Sequence, residues 1–377
     1  METSDLNELD IAIVGAGYGG AAAAKALSLL GANVHVYEQA PRIREVGAGI
    51  GLRPATVELF RRWGIFDAIA AVSSPSDHFE ILDGTGEVIL REEWPGMHDY
   101  AQVNKTRFIH RGDFIDTLLK ALPADRLHLG HRMESITDHG DRATVTFAGG
   151  EQVTADLVIG AEGIRSLVRR QLFTERGPVF SGEHAYRTVI PADDACGMVV
   201  DDDLRMFLDD KGTKVYFLPL RHRNELSFDI TALSDDDSWS PQVTKERLLA
   251  LMDGFDERLV NITRDLDMAA LTCRAAFDID PVETWYTDSV TLLGDAAHAM
   301  LHHQGQGANQ AIQDGGALAD ALREADSVRD ALARFQAERK PVTDELQSVS
   351  RRSWDADEID DVFPGQKPAG AGKEGER

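Results

Sequence analysis

Residues 11–14 form a short unbroken apolar run, followed by a cluster of glycines and an alanine-rich stretch of helical character reaching residue 30. Gly31 stops that helix, and a second apolar run covers residues 34–37. The pattern predicts a strand, a helix and a second strand. Residues 107–119 read as strand then helix and residues 153–160 as one more buried strand, so both are expected to continue a parallel sheet. Residues 205–231 have a different texture. Apolar segments at 206–208, 215–218 and 226–230 are separated by turn residues at Lys211 and Gly212 and again at 222–224, which predicts antiparallel hairpins. A strand pattern returns at 290–293, a helix is expected at 307–322, and a further helical pattern covers 328–350. The chain is therefore expected to be α/β. One domain is assigned to segments 1–75, 104–175 and 276–350, an inserted antiparallel sheet to 76–103 and 176–275, and a tail to 351–377. The tail from Pro364 has no periodic apolar face and is expected to be disordered.

Composition narrows the functional classes. The 377 residues are 43% hydrophobic, enough for two packed cores. The net charge of −25 repels phosphate backbones and anionic lipid surfaces, so neither nucleic acid nor a membrane is expected as a partner. The first ten residues lack the basic and apolar blocks of a signal peptide and no apolar run approaches a membrane span, so a cytoplasmic protein is expected. Cys196 and Cys273 stand far apart without CxxC or histidine-rich neighbours, which leaves two reduced thiols and no metal site as the expectation.

The first chemical motif is Gly15-Ala16-Gly17-Tyr18-Gly19-Gly20, with Glu38 and Gln39 at the end of the second strand. Glycines here permit a tight turn and close approach of a pyrophosphate, the helix N-terminus offers N–H groups, and an acid about twenty residues on accepts bonds from ribose hydroxyls. A dinucleotide is expected, and this motif alone does not separate NAD from FAD.

The run Leu293-Gly294-Asp295-Ala296-Ala297-His298, followed by Gln304-Gly305-Gln306-Gly307-Ala308-Asn309 and Asp314, resembles the second flavin signature of the group A flavoprotein aromatic hydroxylases. The resemblance extends from about residue 9 to residue 350 and implies a Rossmann-like FAD-binding domain, an inserted antiparallel-sheet substrate domain and a C-terminal helical segment. It implies that Asp295 holds the ribityl chain and that Gly305, Gly307 and Ala308 open a helix toward the isoalloxazine. Residues 156–163 resemble the family's middle motif, associated with FAD and the nicotinamide reductant, with Glu162 where the usual acid is Asp. Val46-Gly47-Ala48-Gly49-Ile50 is similar to a segment lying along the flavin, and Arg111 matches an arginine facing the pyrophosphate. Gly51 stands where the 6-hydroxynicotinate monooxygenase branch carries a histidine, so that branch's proton acceptor is missing.

What the resemblance implies is a monooxygenase in which NADH or NADPH reduces the flavin, O2 forms a C4a-hydroperoxide, and a small electron-rich aromatic acid is hydroxylated. Hydroxybenzoates, aminohydroxybenzoates and hydroxypyridine carboxylates are the expected substrates, on a monomer or homodimer. His302, next to His303, replaces the family's usual proline, a position also polar in the 3-hydroxybenzoate 6-hydroxylases. Its imidazole is the candidate proton acceptor and Tyr216, on the inserted sheet, the candidate partner of a substrate hydroxyl. Arg187, Arg205, Arg221 and Arg223 are candidate anchors for a carboxylate. Open alternatives are a flavin oxidase or dehydrogenase, a quinolone-type ring hydroxylase, and a flavin-free protein-binding scaffold such as the GDP-dissociation inhibitors.

Overall fold

A computed structural model describes residues 6–43, 48–94 and 104–352. The tail expected to be disordered and the segment Val46-Gly47 lie outside the described residues.

The opening strand, helix and strand are Asp10–Val14, Tyr18–Ser28 and Asn33–Glu38. They seed a five-stranded parallel sheet ordered Val290–Leu292, Leu157–Gly160, Asp10–Val14, Asn33–Glu38, Leu127–Leu129. Its central residues Ile11 and Ile13 stand opposite Leu157 and Ile159 on one side and Val34 and Val36 on the other, all buried. Apolar side chains on both faces suit a sheet covered on both sides. The helix Gly307–Glu324 packs against Tyr18–Ser28 closely enough that a Cβ on Gly315 would lie 2.7 Å from the Ala23 nitrogen. The last helix, Val328–Ser350, has the bounds the apolar pattern gives it.

The second layer is a seven-stranded sheet ordered Thr272–Asp278, Val179–Pro191, Glu225–Leu233, Lys214–Leu220, Leu204–Leu208, His78–Asp83, Val88–Glu93. The expected hairpins form its middle, and only Leu204–Leu208 with His78–Asp83 pair in parallel. Because side chains alternate across a strand, the sheet has two distinct faces. Phe207, Phe217, Phe228 and Ile230 point to a core closed by the helices Lys245–Leu251 and Glu257–Asp265. Their neighbours Met206, Tyr216, Ser227, Asp229 and Thr231 line a cavity on the opposite face.

Two expectations are corrected. The strand Thr106–His110 pairs antiparallel with Gly49–Leu52 and Ser73–Ser76 in a small separate sheet and does not continue the parallel one. A buried apolar run carries no information about the direction of its partner. Residues 153–160 are two strands, Gln152–Ala155 in an antiparallel meander and Leu157–Gly160 in the parallel sheet. Asp156 divides them: its N–H donates to the Asp10 carbonyl at 3.0 Å and its Oδ2 accepts from the Asp10 N–H at 3.0 Å.

Candidate active site

A cavity of about 930 Å³ lies between the carboxyl ends of the parallel strands and the polar face of the large sheet. That volume sits near the upper end of single-ligand pockets, and strand carboxyl ends are where open α/β sheets bind ligands.

At one end stands the glycine turn. Gly15 has φ +106°, and a Cβ there would lie 2.4 Å from the Ala161 carbonyl oxygen. Gly17 opens directly on the cavity, with no atom of the described residues within 4 Å of where a Cβ would stand. Gly19 also lines it. Gly20 does not, contrary to the assignment as a cofactor contact: its missing Cβ would fall 1.9 Å from the Gly15 carbonyl, so its contribution is the close packing of helix on turn. Glu38 lines the cavity while accepting the Ala16 and Ala40 N–H groups at 2.9 Å each, which fixes the turn to the second strand; Gln39 lies beside it.

The opposite wall comes from residues far along the chain. Asp295 follows the strand Val290–Leu292, and its side chain is exposed on the cavity. Desolvation by the enclosing protein nevertheless pushes its carboxyl up, against the pull of His298, Arg111 and Arg169. Beneath it the buried Asp314 accepts from the Gly294 N–H at 2.9 Å, His298 Nε2 at 2.6 Å and Arg339 Nε at 2.8 Å. Gly305, Gly307 and Ala308 form the cavity wall at the start of Gly307–Glu324. Asn309, fully buried, ties this loop to the small sheet: its Nδ2 donates to the carbonyls of Gly51 at 2.8 Å and Gly305 at 3.0 Å, and its Oδ1 accepts from Arg53 N–H at 2.8 Å.

Arg111 lines the cavity with its guanidinium 5.1 Å from the Tyr18 ring centroid. Glu162 also lines it, but its oxygens are taken up by the helix Leu167–Leu172, accepting from the N–H groups of Leu167 and Val168 at 3.0 Å and the Ser166 hydroxyl at 2.8 Å. The longer acid thus caps a helix.

The large sheet supplies the remaining wall. Arg187, Asp229, Tyr216, Met206 and Ile81 stand opposite one another in register across five adjacent strands, and all five line the cavity. The Tyr216 hydroxyl is buried without a hydrogen-bond partner among the described residues, and burial, with Glu183 and Asp229, holds its pKa above the ordinary range. His302 closes the cavity from the facing loop and shares a 2.9 Å hydrogen bond between Nε2 and the Thr231 hydroxyl. Burial, followed by the charges of Arg187, His303 and Lys214, holds its pKa well below the ordinary imidazole value. The ring is neutral and weakly basic. His303 Nε2 lies 2.8 Å from Glu183, which also pairs with Lys214 at 3.2 Å.

Of the four candidate arginine anchors, only Arg187 borders the cavity. Arg205 pairs with Glu80 and with both oxygens of Asp201, Arg221 with Asp202, and Arg223 with Asp113 and Glu225. Arg205 neighbours Met206 and so points to the other face of its strand. Asp229 is the residue that motif reading missed. Its signal is the period-2 placement of Ser227, Asp229 and Thr231 within an otherwise buried strand.

The residues fit a dinucleotide with an attached ring system: a cradle that tolerates no Cβ at Gly15, a cation at Arg111, acids at Glu38 and Asp295, and a broad second chamber. Residues 8–350 match the family model described as FAD binding domain. The chain belongs to that family, and it is an FAD-dependent monooxygenase. It is 33% identical to 6-hydroxynicotinate 3-monooxygenase of Pseudomonas fluorescens, with 91% of each chain covered. It is 30% identical to 3-amino-4-hydroxybenzoate 2-monooxygenase of Streptomyces cremeus, with 92% of this chain and 86% of the relative covered. Klebsiella pneumoniae HpxO complexed with FAD and uric acid shares the fold, with a TM-score of 0.82 at 23% identity over 91% of this chain and 87% of that one. Among the described residues no helix is long and apolar enough to cross a membrane, and no group of three or more His, Cys, Asp or Glu is placed to hold a metal ion.

Proposed function

We propose that this protein hydroxylates a small electron-rich aromatic ring, of the hydroxypyridine carboxylate, hydroxybenzoate or aminohydroxybenzoate type, consuming NADH or NADPH and O2. The observation that carries the reading is one continuous cavity with the glycine turn, Glu38 and Asp295 on one side and the polar row of the large sheet on the other. Relatives named for hydroxynicotinate and aminohydroxybenzoate support the substrate class.

In this reading Gly15, Gly17, Gly19 and Arg111 hold the pyrophosphate of FAD, Glu38 and Gln39 the ribose, and Asp295 the ribityl chain. Gly51, Glu162, Gly305, Gly307 and Ala308 border the remainder. Bound FAD supplies the redox chemistry that activates oxygen. The chain's own residues exclude water and orient the ring. Tyr216 offers its unpartnered hydroxyl to a substrate hydroxyl, and His302, fixed by Thr231, packs against the ring and orients it as a neutral hydrogen-bonding group. Segments 1–75, 104–175 and 276–350 form the cofactor unit, with 76–103 and 176–275 as the substrate sheet. A screen of hydroxypyridine acids, aminohydroxybenzoates, hydroxybenzoates and quinolones for stimulated NAD(P)H oxidation, with oxygen-18 gas and mass analysis of the product, tests it. Oxidation without incorporated label would identify an oxidase instead.

A further inference from the structure

We propose that Asp229, standing in cross-strand register between Arg187 and Tyr216 on the cavity wall, accepts the proton of the substrate's ring hydroxyl. The proposal rests on the hydroxylase reading above and names the base within that site.

The geometry starts from the strand Glu225–Leu233. Its residues Ser227, Asp229 and Thr231 share one face, and each borders the cavity. Ser227 donates to Asp229 Oδ1 at 3.0 Å and itself accepts the Gly49 N–H at 2.9 Å, so Oδ1 is fixed from the side of the small sheet. Oδ2 stands 3.6 Å from Arg187 Nε, an ion-pair distance too long for a hydrogen bond. One oxygen is thus held rigidly and the other is left to a ligand. On the adjacent strand the Tyr216 hydroxyl has no partner among the described residues, so a ring hydroxyl placed between the two can accept from Tyr216 while donating to Asp229.

The other titratable groups around the pocket are less suited to the task. His302 is bound to Thr231 and kept neutral by burial and by Arg187, His303 and Lys214. His303 and Lys214 both pair with Glu183. Tyr216 keeps its proton. Burial pushes the Asp229 carboxyl up to about 6, against the pull of Arg187 and the Ser227 hydroxyl, so it is ionised at neutral pH and still basic enough to take a proton. In the step itself the ring O–H bond breaks and an Asp229 O–H bond forms. The electron pair stays on the ring oxygen and enriches the ring carbons to be attacked, and the proton passes to solvent after turnover. Asp229 repels a substrate carboxylate set directly against it, whereas Arg187 beside it on the same wall attracts one.

The test compares wild-type holoenzyme with Asp229→Asn and Asp229→Glu. Two measurements are made between pH 5 and 8: kcat/KM for the best ring compound of the screen, and the affinity of the oxidised holoenzyme for phenol, which stays neutral throughout, read from the flavin absorbance. Wild type should lose both as pH falls through about 6. Asp229→Asn should lose that acid limb, with kcat/KM down about 10²- to 10⁴-fold at pH 7.5 and FAD content unchanged. Asp229→Glu should retain a limb. An Asn variant with the wild-type profile, or phenol affinity independent of pH in wild type, overturns the assignment. Failure of the hydroxylase reading is separate, since it shows as absence of oxygen-18 in any product, while the phenol measurement still judges Asp229.

Discussion

Replacing Asp314 by Asn tests whether the cofactor wall hangs on one buried carboxylate. Asp314 is fully buried, accepts from Gly294, His298 and Arg339, and belongs to the helix that forms the far side of the cavity. Its carboxyl is held at about 2 despite burial, because His298 and Arg339 favour the charged form. The gap from 3.8 is worth roughly 2.5 kcal/mol of charge-specific stability. A depressed acid contributes that stability above 3.8 and loses it as pH falls through about 2. The variant also leaves Arg339, itself buried, without its carboxylate, a loss of about 3–5 kcal/mol in all. At roughly 2 °C per kcal/mol for a large chain, the FAD-free variant should melt about 6–10 °C below wild type. The Gly294 N–H loses its fixed acceptor next to Asp295, so FAD affinity should weaken about tenfold, read by flavin fluorescence. A melting point within about 2 °C of wild type together with unchanged FAD affinity would refute the reasoning.

Three further outcomes follow from the same geometry. Gly15→Val should strip FAD from the purified protein, measured as the ratio of flavin to protein absorbance, because any side chain at φ +106° meets the Ala161 carbonyl. Asp229→Asn should raise stability at pH 7.5 by roughly 3 kcal/mol in urea titration, since an acid raised from 3.8 to about 6 burdens the fold only once it ionises; below pH 4 the two proteins should unfold alike. Tyr216→Phe should leave melting unchanged, because the buried hydroxyl has no partner to lose, while weakening substrate affinity about five- to tenfold in equilibrium titration.

The sequence displayed the cofactor side of this molecule more openly than the substrate side. Gly15, Glu38, Asp295 and Gly307 sit at strand ends and helix starts, where backbone geometry narrows the choice of residue and leaves a motif. The sheet wall carries no such mark. Arg187 and Asp229 are brought together by strand pairing across 42 positions, and register of that kind is decided in three dimensions. Arg205, Arg221 and Arg223 read alike in sequence, and only their acidic neighbours show that they serve elsewhere. The strand Val179–Pro191 went unforeseen because its exposed and half-buried first half hides the alternation. The strand Thr106–His110 is legible as a strand but its antiparallel neighbours are not, since burial alone does not encode direction.

The strand order of the parallel sheet has a consequence for how the protein is made. Asp10–Val14 lies at its centre, but its outermost partner on one side, Val290–Leu292, leaves the ribosome some 280 residues later. During synthesis the apolar edge of Leu157–Gly160 waits unpaired while the large sheet is assembled, a long-range closure that is slow and exposes sticky surface. Asp295 and the start of Gly307–Glu324 emerge later still. The wall of the cavity is therefore complete only once the start of Gly307–Glu324 has been translated.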